Sequence, residues 1–196
     1  MNTNSLIKHL SKLNWFGITA GILTFTVIIV SLYHPWWQLT IGDAVKINVS
    51  PMNTNFGLLG THFTIPLIYA LNIGSILTFL CSGIIMLIYS IAPTKPYAKD
   101  LIDFAWKKPL YSVITSTTCL LLIILIIRHF FDMNLPIIGA AIVILPTQFT
   151  EGVSIIVKVS AAFQWPLYLA ITTAILCIIA KIYHNKKLAH TQTAAV

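Results

Sequence analysis

The chain has 196 residues, a mean hydropathy of +0.87 and a charged fraction of only 9%. A soluble domain carries about 25% charged residues, so this composition excludes a water-soluble globular protein. The net charge of +7 does not indicate nucleic-acid binding, because the basic side chains cluster at the ends of apolar runs, where they face lipid headgroups. We therefore predict one integral membrane domain over 1–196, without a separate soluble catalytic domain.

Four apolar runs are long enough to cross the hydrocarbon core, which takes about 20 residues in a helix. The first run is uncharged and too long for the core of a signal peptide, so we interpret it as a retained span. The predicted fold class is an all-α membrane protein with a four-transmembrane-helix bundle. The predicted helices cover about 15–33, 65–91, 110–131 and 165–183, and the connections are about 34–63, 92–109 and 132–164.

The distribution of lysine and arginine predicts the orientation of the spans. Nine of the twelve basic side chains lie in the N-terminal segment, in 92–109 or in the C-terminal tail, and the positive-inside rule places these parts in the cytoplasm. Of the other three, Lys46 and Lys158 lie in the two remaining connections and Arg128 lies near the adjoining end of the third span, so these connections are then extracellular. The five tryptophans agree, because an indole favours the membrane interface and all of them lie near predicted span ends: Trp15, Trp36, Trp37, Trp106 and Trp165.

Small and hydroxyl-bearing residues mark two of the spans. Gly17 and Gly21 form a GxxxG pattern in the first span, which lets a second helix backbone approach closely. We expect this face to pack inside the bundle, and a face between two copies is the alternative. The third span carries serines and threonines at 112 and 115–118, which we expect to bond to carbonyls of their own helix.

The two extracellular connections contain strand-like stretches. Residues 45–50 alternate between apolar and polar, the period of a half-buried strand, and 36–41 is the predicted partner. The stretches 140–145 and 153–160 are strand-like as well. These patterns predict one small extracellular β-sheet built from both connections. Asn48 also begins a glycosylation sequon and is a candidate acceptor.

The cytoplasmic connection contains a predicted interfacial helix at 97–108. Leu101, Phe104 and Ala105 would share one face of it, and Asp103 would pair with Lys107 four positions later. A docking site for a cytoplasmic partner is the alternative role of this segment. The polar tail 191–196 is predicted to be disordered.

Three histidines suggest the one site of possible chemistry. His34, His62 and His129 fall near the extracellular ends of three different spans, and Asp132 is close to the last of them. Imidazole and carboxylate ligands suit zinc or copper, so helix packing could assemble an outer-surface metal site. Three separately solvated interfacial side chains are the alternative. We expect no other cofactor.

A short motif resembles that of the claudin and peripheral-myelin-protein group. Trp37 is followed about twenty residues later by Gly57 and Leu58, which is similar to the first-loop pattern of that group. Leu59 stands where the group has a second tryptophan, and the loop has no cysteine pair. The resemblance implies a left-handed four-helix bundle with an extracellular sheet, side-by-side assembly, and a role in adhesion or barrier formation.

These features predict a non-enzymatic protein that acts in lateral or cell-surface assembly through its extracellular sheet. Trp36 and Trp37 would anchor the sheet at the interface, and Gly57 would permit a tight turn. The expected partners are the lipid bilayer and either further copies or other membrane proteins. The alternatives are an accessory subunit of a respiratory, secretion or transport complex, a metal-binding enzyme subunit, and an oligomeric channel.

Overall fold

The computed structural model describes residues 13–42, 45–51, 56–58, 61–63, 66–131, 134–145 and 155–193. Four helices in this part of the chain are long and apolar enough to cross a membrane, which characterises the chain as a membrane protein. The helices are α1 (Trp15–Tyr33), α2 (Pro66–Ile91), the short α3 (Ala98–Ala105), α4 (Lys108–Phe131) and α5 (Trp165–Thr193).

The predicted helix bounds agree closely with these helices except at the end of α5. There the helix continues beyond the predicted end at 183 as far as Thr193. The prediction of a disordered tail from 191 onwards was therefore wrong for 191–193, and 194–196 lie outside the described residues. The tail sequence lacks proline and glycine, the residues that most often end a helix.

Six short strands lie in the two longer connections: β1 (Trp37–Ile41), β2 (Val45–Val49), β3 (Phe56–Leu58), β4 (Thr61–Phe63), β5 (Gly139–Leu145) and β6 (Ile155–Phe163). One antiparallel sheet has the order β2-β1-β6-β5, and β3 pairs with β4 separately. The prediction of one small sheet from both connections is thereby confirmed. Trp37 lies opposite Val49 on one side and Phe163 on the other.

The chain divides into two compact units, to which every long helix contributes. The sheet unit consists of Val30–Ser75 and Ile114–Tyr168. The helical unit consists of Met1–Ile29, Ile76–Val113 and Leu169–Val196.

The helical unit has a core in which α3 packs against the longer helices. The α3 side chains Ala98, Ile102 and Ala105 are buried in it, and the Ser82 hydroxyl of α2 donates to the Ala105 carbonyl at 3.0 Å. The core cluster comprises Ala20, Met86, Tyr89, Ala98, Ile102, Ala105, Cys177 and Ala180.

The ion pair made by α3 differs from the prediction. Phe104 is 55% exposed, whereas Ile102 is fully buried. Asp103 pairs with Lys181 of α5 rather than with Lys107, whose ammonium lies 5.0 Å from the centre of the Trp106 ring. The prediction used contacts within the segment, but the partners of α3 come from α2 and α5.

Glycines bring α1 and α2 into close contact in the helical unit. A Cβ added to Gly21 would lie 2.7 Å from Leu87 Cδ2 and 3.3 Å from the Gly83 carbonyl oxygen, and one added to Gly17 would collide with the Ser90 hydroxyl. Only residues without a side chain allow backbones to approach this closely. The GxxxG face therefore packs within the chain, as expected.

Asn14 joins three helices at the beginning of α1. Its carbonyl accepts the first helical hydrogen bond, from Ile18 N–H, and its side-chain oxygen accepts the Gly17 N–H at 3.1 Å. This is the geometry of an N-cap. The Asn14 amide nitrogen donates to the Tyr89 hydroxyl of α2 at 2.8 Å and to the Ala180 carbonyl of α5 at 3.1 Å.

We expect Asn14→Ala to lower the free energy of unfolding by about 2 kcal/mol, because a lost cap costs roughly 0.5–2 kcal/mol and a buried group left unpaired about 1–3 kcal/mol. Tyr89→Phe should cost about 1 kcal/mol, since it removes one of these bonds. The double variant should cost less than the sum, because the two residues share that bond. Denaturant titration in detergent micelles measures all three, and strictly additive costs would contradict the coupling.

Candidate functional site

The four-stranded sheet has one buried face, which packs on α4 within the sheet unit. Leu39 of β1 and Val159 of β6 are almost fully buried there, and Leu120 and Ile124 of α4 cover them. Successive residues of a strand point to opposite faces, so the alternating sequence determines which side chains enter this core. The remaining buried members of the cluster are Trp37, Val143 and Ala161.

Two buried tryptophans attach the sheet to its surroundings. The Trp37 indole N–H donates to the Ile137 carbonyl at 2.7 Å, just before β5, and the Trp36 indole N–H donates to the Ser31 hydroxyl of α1 at 2.7 Å. Both indoles are anchored by protein partners rather than by an open interface. Trp165, in contrast, is 51% exposed.

The opposite face of the sheet is polar along β1 and β2. Gln38 donates its amide N–H to the Asn48 side-chain oxygen at 2.9 Å across the two strands. Lys46 and Asn48 are exposed on β2. The candidate glycosylation residue Asn48 therefore lies within a strand and has a side-chain partner there.

The same face is apolar along β5 and at Ile156 of β6, whereas Lys158 and Ser160 of β6 are polar. Ile142 of β5 is 74% exposed and Ile156 of β6 is 69% exposed. Ile142 lies opposite Lys158, and Ile156 is two positions before Lys158, so both isoleucines are on one face as diagonal neighbours. We call Ile142 and Ile156 the isoleucine patch.

The strand β5 forms one edge of the sheet, and β6 is its neighbour in the described part of the chain. Its residues, from Gly139 to Leu145, carry no charge. Most edge strands are protected from further pairing by lysine, proline or a bulge, and the other edge, β2, does contain Lys46. An uncharged edge strand beside exposed isoleucines lacks the usual protection against pairing with a further strand.

A small cavity of about 20 Å³ lies beneath the sheet, within the sheet unit. Its lining includes Trp37, Asn72 and Ser116, and a cavity of this volume accommodates one water molecule. Ser116 also donates to Ser75 at 3.4 Å, so hydroxyls of α4 bond to α2 here. The prediction that the α4 hydroxyls bond to carbonyls of their own helix was therefore wrong for Ser116.

The four predicted metal ligands are only partly described. The His34 ring contacts the Trp165 ring at a centroid distance of 5.5 Å, and the His129 ring contacts Phe130. The His62 side chain and Asp132 lie outside the described residues. No group of three or more metal-ligating side chains occurs among the residues that are described, and the metal site stays a prediction.

The motif residues Gly57 and Leu58 lie in β3, where Gly57 pairs with His62 of β4. The predicted role of Gly57 in a tight turn was therefore wrong, because its backbone is extended and paired with β4. The motif's tryptophan, Trp37, belongs to the other sheet. No protein-family model matches this chain, and no curated protein is significantly similar to it. The resemblance to the claudin group stays a prediction.

We expect Trp37→Phe to loosen β5. The change leaves the Ile137 carbonyl without its indole donor and reduces the buried ring, which together should cost about 2 kcal/mol. Trp165→Phe is the matched control, because this exposed ring should contribute within about 0.5 kcal/mol. Hydrogen exchange followed by mass spectrometry should show faster exchange of the β5 amides in Trp37→Phe only. Equal protection in the two variants would contradict the anchoring role of Trp37.

Proposed function

We propose that this protein is a non-enzymatic component of membrane assemblies and that its four-stranded sheet contacts a neighbouring protein. The isoleucine patch beside the uncharged edge strand is the observation that carries the proposal. Two isoleucines exposed by 74% and 69% are unfavourable in water, and burying each against a partner would contribute about 1.5–3 kcal/mol.

The proposal places the sheet on the extracellular side of the cell membrane and both termini in the cytoplasm. The distribution of basic residues supports this orientation, since nine of twelve lie in the N-terminal segment, in 92–109 or in the C-terminal half of α5 from Lys181 onwards. The exposed aromatic ring of Phe104, with the Lys108 ammonium 4.0 Å from its centre, fits α3 lying at the inner headgroup layer.

The assembly takes one of two forms, which differ in the partner. In a claudin-like form, copies of this chain associate side by side or between cells. In the other form, the chain is an accessory subunit and the sheet docks on a different membrane protein. The isoleucine patch supports both forms, because apolar contact does not itself specify the partner.

Native mass spectrometry of the protein extracted gently from its own membranes tests the function. We expect an assembly, and Ile142→Ser with Ile156→Ser should dissociate it. Ala140→Ser with Ala162→Ser is the matched control on the same face and should leave it intact. A homo-oligomer supports the claudin-like form and a stable complex with a different protein supports the accessory subunit. A monomer that carries only lipid would overturn the proposal.

The orientation has its own test with a membrane-impermeant thiol reagent. Lys46→Cys lies on exposed β2 and should be labelled in intact cells. Lys95→Cys, in the connection between α2 and α3, should be labelled only after permeabilisation. The wild-type chain, whose three cysteines lie in helices, is the control for background labelling. The reverse pattern would place the sheet in the cytoplasm.

A further inference from the structure

Two hydrogen bonds fix the direction of the backbone groups along β6. The Gly42 N–H donates to the Lys158 carbonyl at 2.9 Å, and the Gln164 N–H donates to the Trp36 carbonyl at 2.8 Å. Even-numbered residues of β6 therefore direct their backbone groups towards β1. Successive residues in an antiparallel strand alternate in this direction, so the odd-numbered residues direct theirs towards β5.

The same alternation identifies the backbone groups at the outer edge of β5. Val159 and Val157 of β6 lie opposite Ala141 and Val143. These odd-numbered residues of β5 thus bond to β6, and the even-numbered ones direct their N–H and C=O groups away from it. Among the described residues, the open edge of the sheet is formed by the backbones of 140, 142 and 144.

We infer that a second copy of this chain pairs with this edge, β5 against β5, in antiparallel orientation about a two-fold axis at Ile142. The inference rests on the proposed function and names the partner of the same surface. The two sheets become one continuous sheet, and the contact is isologous, because the same strand serves both partners.

The position of the axis follows from the three outward-directed residues. An axis at Ile142 places Ile142 opposite its own copy and Ala140 opposite Ile144 of the second copy. All three residues then form hydrogen-bonded pairs. An axis one position earlier or later pairs only two of them, so the centred register satisfies the most backbone groups.

Charge favours a second copy as the occupant. The strand β5 carries no charge, so no like charges meet directly across the axis. The nearest lysine, Lys158, lies opposite Ile142 on the adjacent strand. Its copy in the second chain is three strand spacings away, about 14 Å, which exceeds the screening length of about 8 Å at physiological salt.

The side chains near the axis are compatible with the same arrangement. Pairing brings Ile142 against its own copy, and cross-strand pairs of β-branched residues stabilise a sheet. The isoleucine patches of the two copies then form one apolar surface. The edge strand β2 is less suited to self-pairing, because Lys46 interrupts it.

Cysteine cross-linking tests the register in native membranes. Ile142→Cys places two thiols on directly opposed residues about 5.5 Å apart between Cα atoms, within the distance that a disulfide formed by mild oxidation spans. Ala140→Cys is the matched control on the same strand and face. Its two copies would lie about 14 Å apart, four residues along the strands, too far for such a bridge.

We expect about ten-fold more disulfide-linked dimer from Ile142→Cys than from Ala140→Cys, because cysteines whose Cα atoms are more than about 7 Å apart form a disulfide only if the backbone moves. The wild type measures background from the native cysteines. Equal yields from the two variants, or a higher yield from Ala140→Cys, would overturn the inferred register.

A second variant tests the contact without a reagent. Ile142→Lys would bring two ammonium groups together at the axis and should abolish the homodimer, while Ser160→Lys, at an exposed position of β6, should leave it intact. Unchanged thermal unfolding of both variants in detergent would show that each chain still folds. A homodimer that withstands Ile142→Lys would overturn the inference.

These outcomes separate the inference from the proposed function. A native homo-oligomer without cross-linking at Ile142→Cys would leave the assembly function intact and overturn the β5 pairing. A complex that contains only one copy of this chain beside a different protein would also overturn it. A monomeric native protein would overturn both.

Discussion

The antiparallel pairing of β1 with β6 is the contact on which the sheet and its exposed edge depend. It joins a hairpin from the first long connection, β1 with β2, to a hairpin from the second, β5 with β6. An isolated two-stranded hairpin is marginal in water, but four strands with one face buried on Leu120 and Ile124 form a stable layer. The register of this pairing also determines which backbone groups of β5 point outwards.

Much of the fold could be predicted because its signals are local. The four spans follow from the length and apolarity of each run, and α1 begins and ends where the sequence predicts. The strands follow from period-two alternation and β-branched residues. The packing partners of α3 could not be predicted in this way. They are Ser82 and Lys181, which lie on other helices and whose positions no local pattern encodes.

The candidate site, too, could be predicted from the sequence only in part. The run 140–145 is strand-like in sequence, but a sequence does not give the order of strands within a sheet. Ile142 and Ile156 are exposed because they lie on the face of the sheet that does not pack on α4, and the order of the strands brings them next to each other. For Gly57 the local signal was misleading. A glycine in this connection suggested a turn, but the residue lies within β3 and pairs with β4.

The contact between Trp37 and the Ile137 carbonyl links positions 100 residues apart and has a consequence for biosynthesis. The β1–β2 hairpin is synthesised before the α2 and α4 helices, whereas β5 and β6 follow them. Until β6 emerges, the edge of β1 that β6 will cover has no partner from this sheet. The sheet can therefore close only after three of the four long helices have been made, and the last strand that it needs, β6, is synthesised before α5.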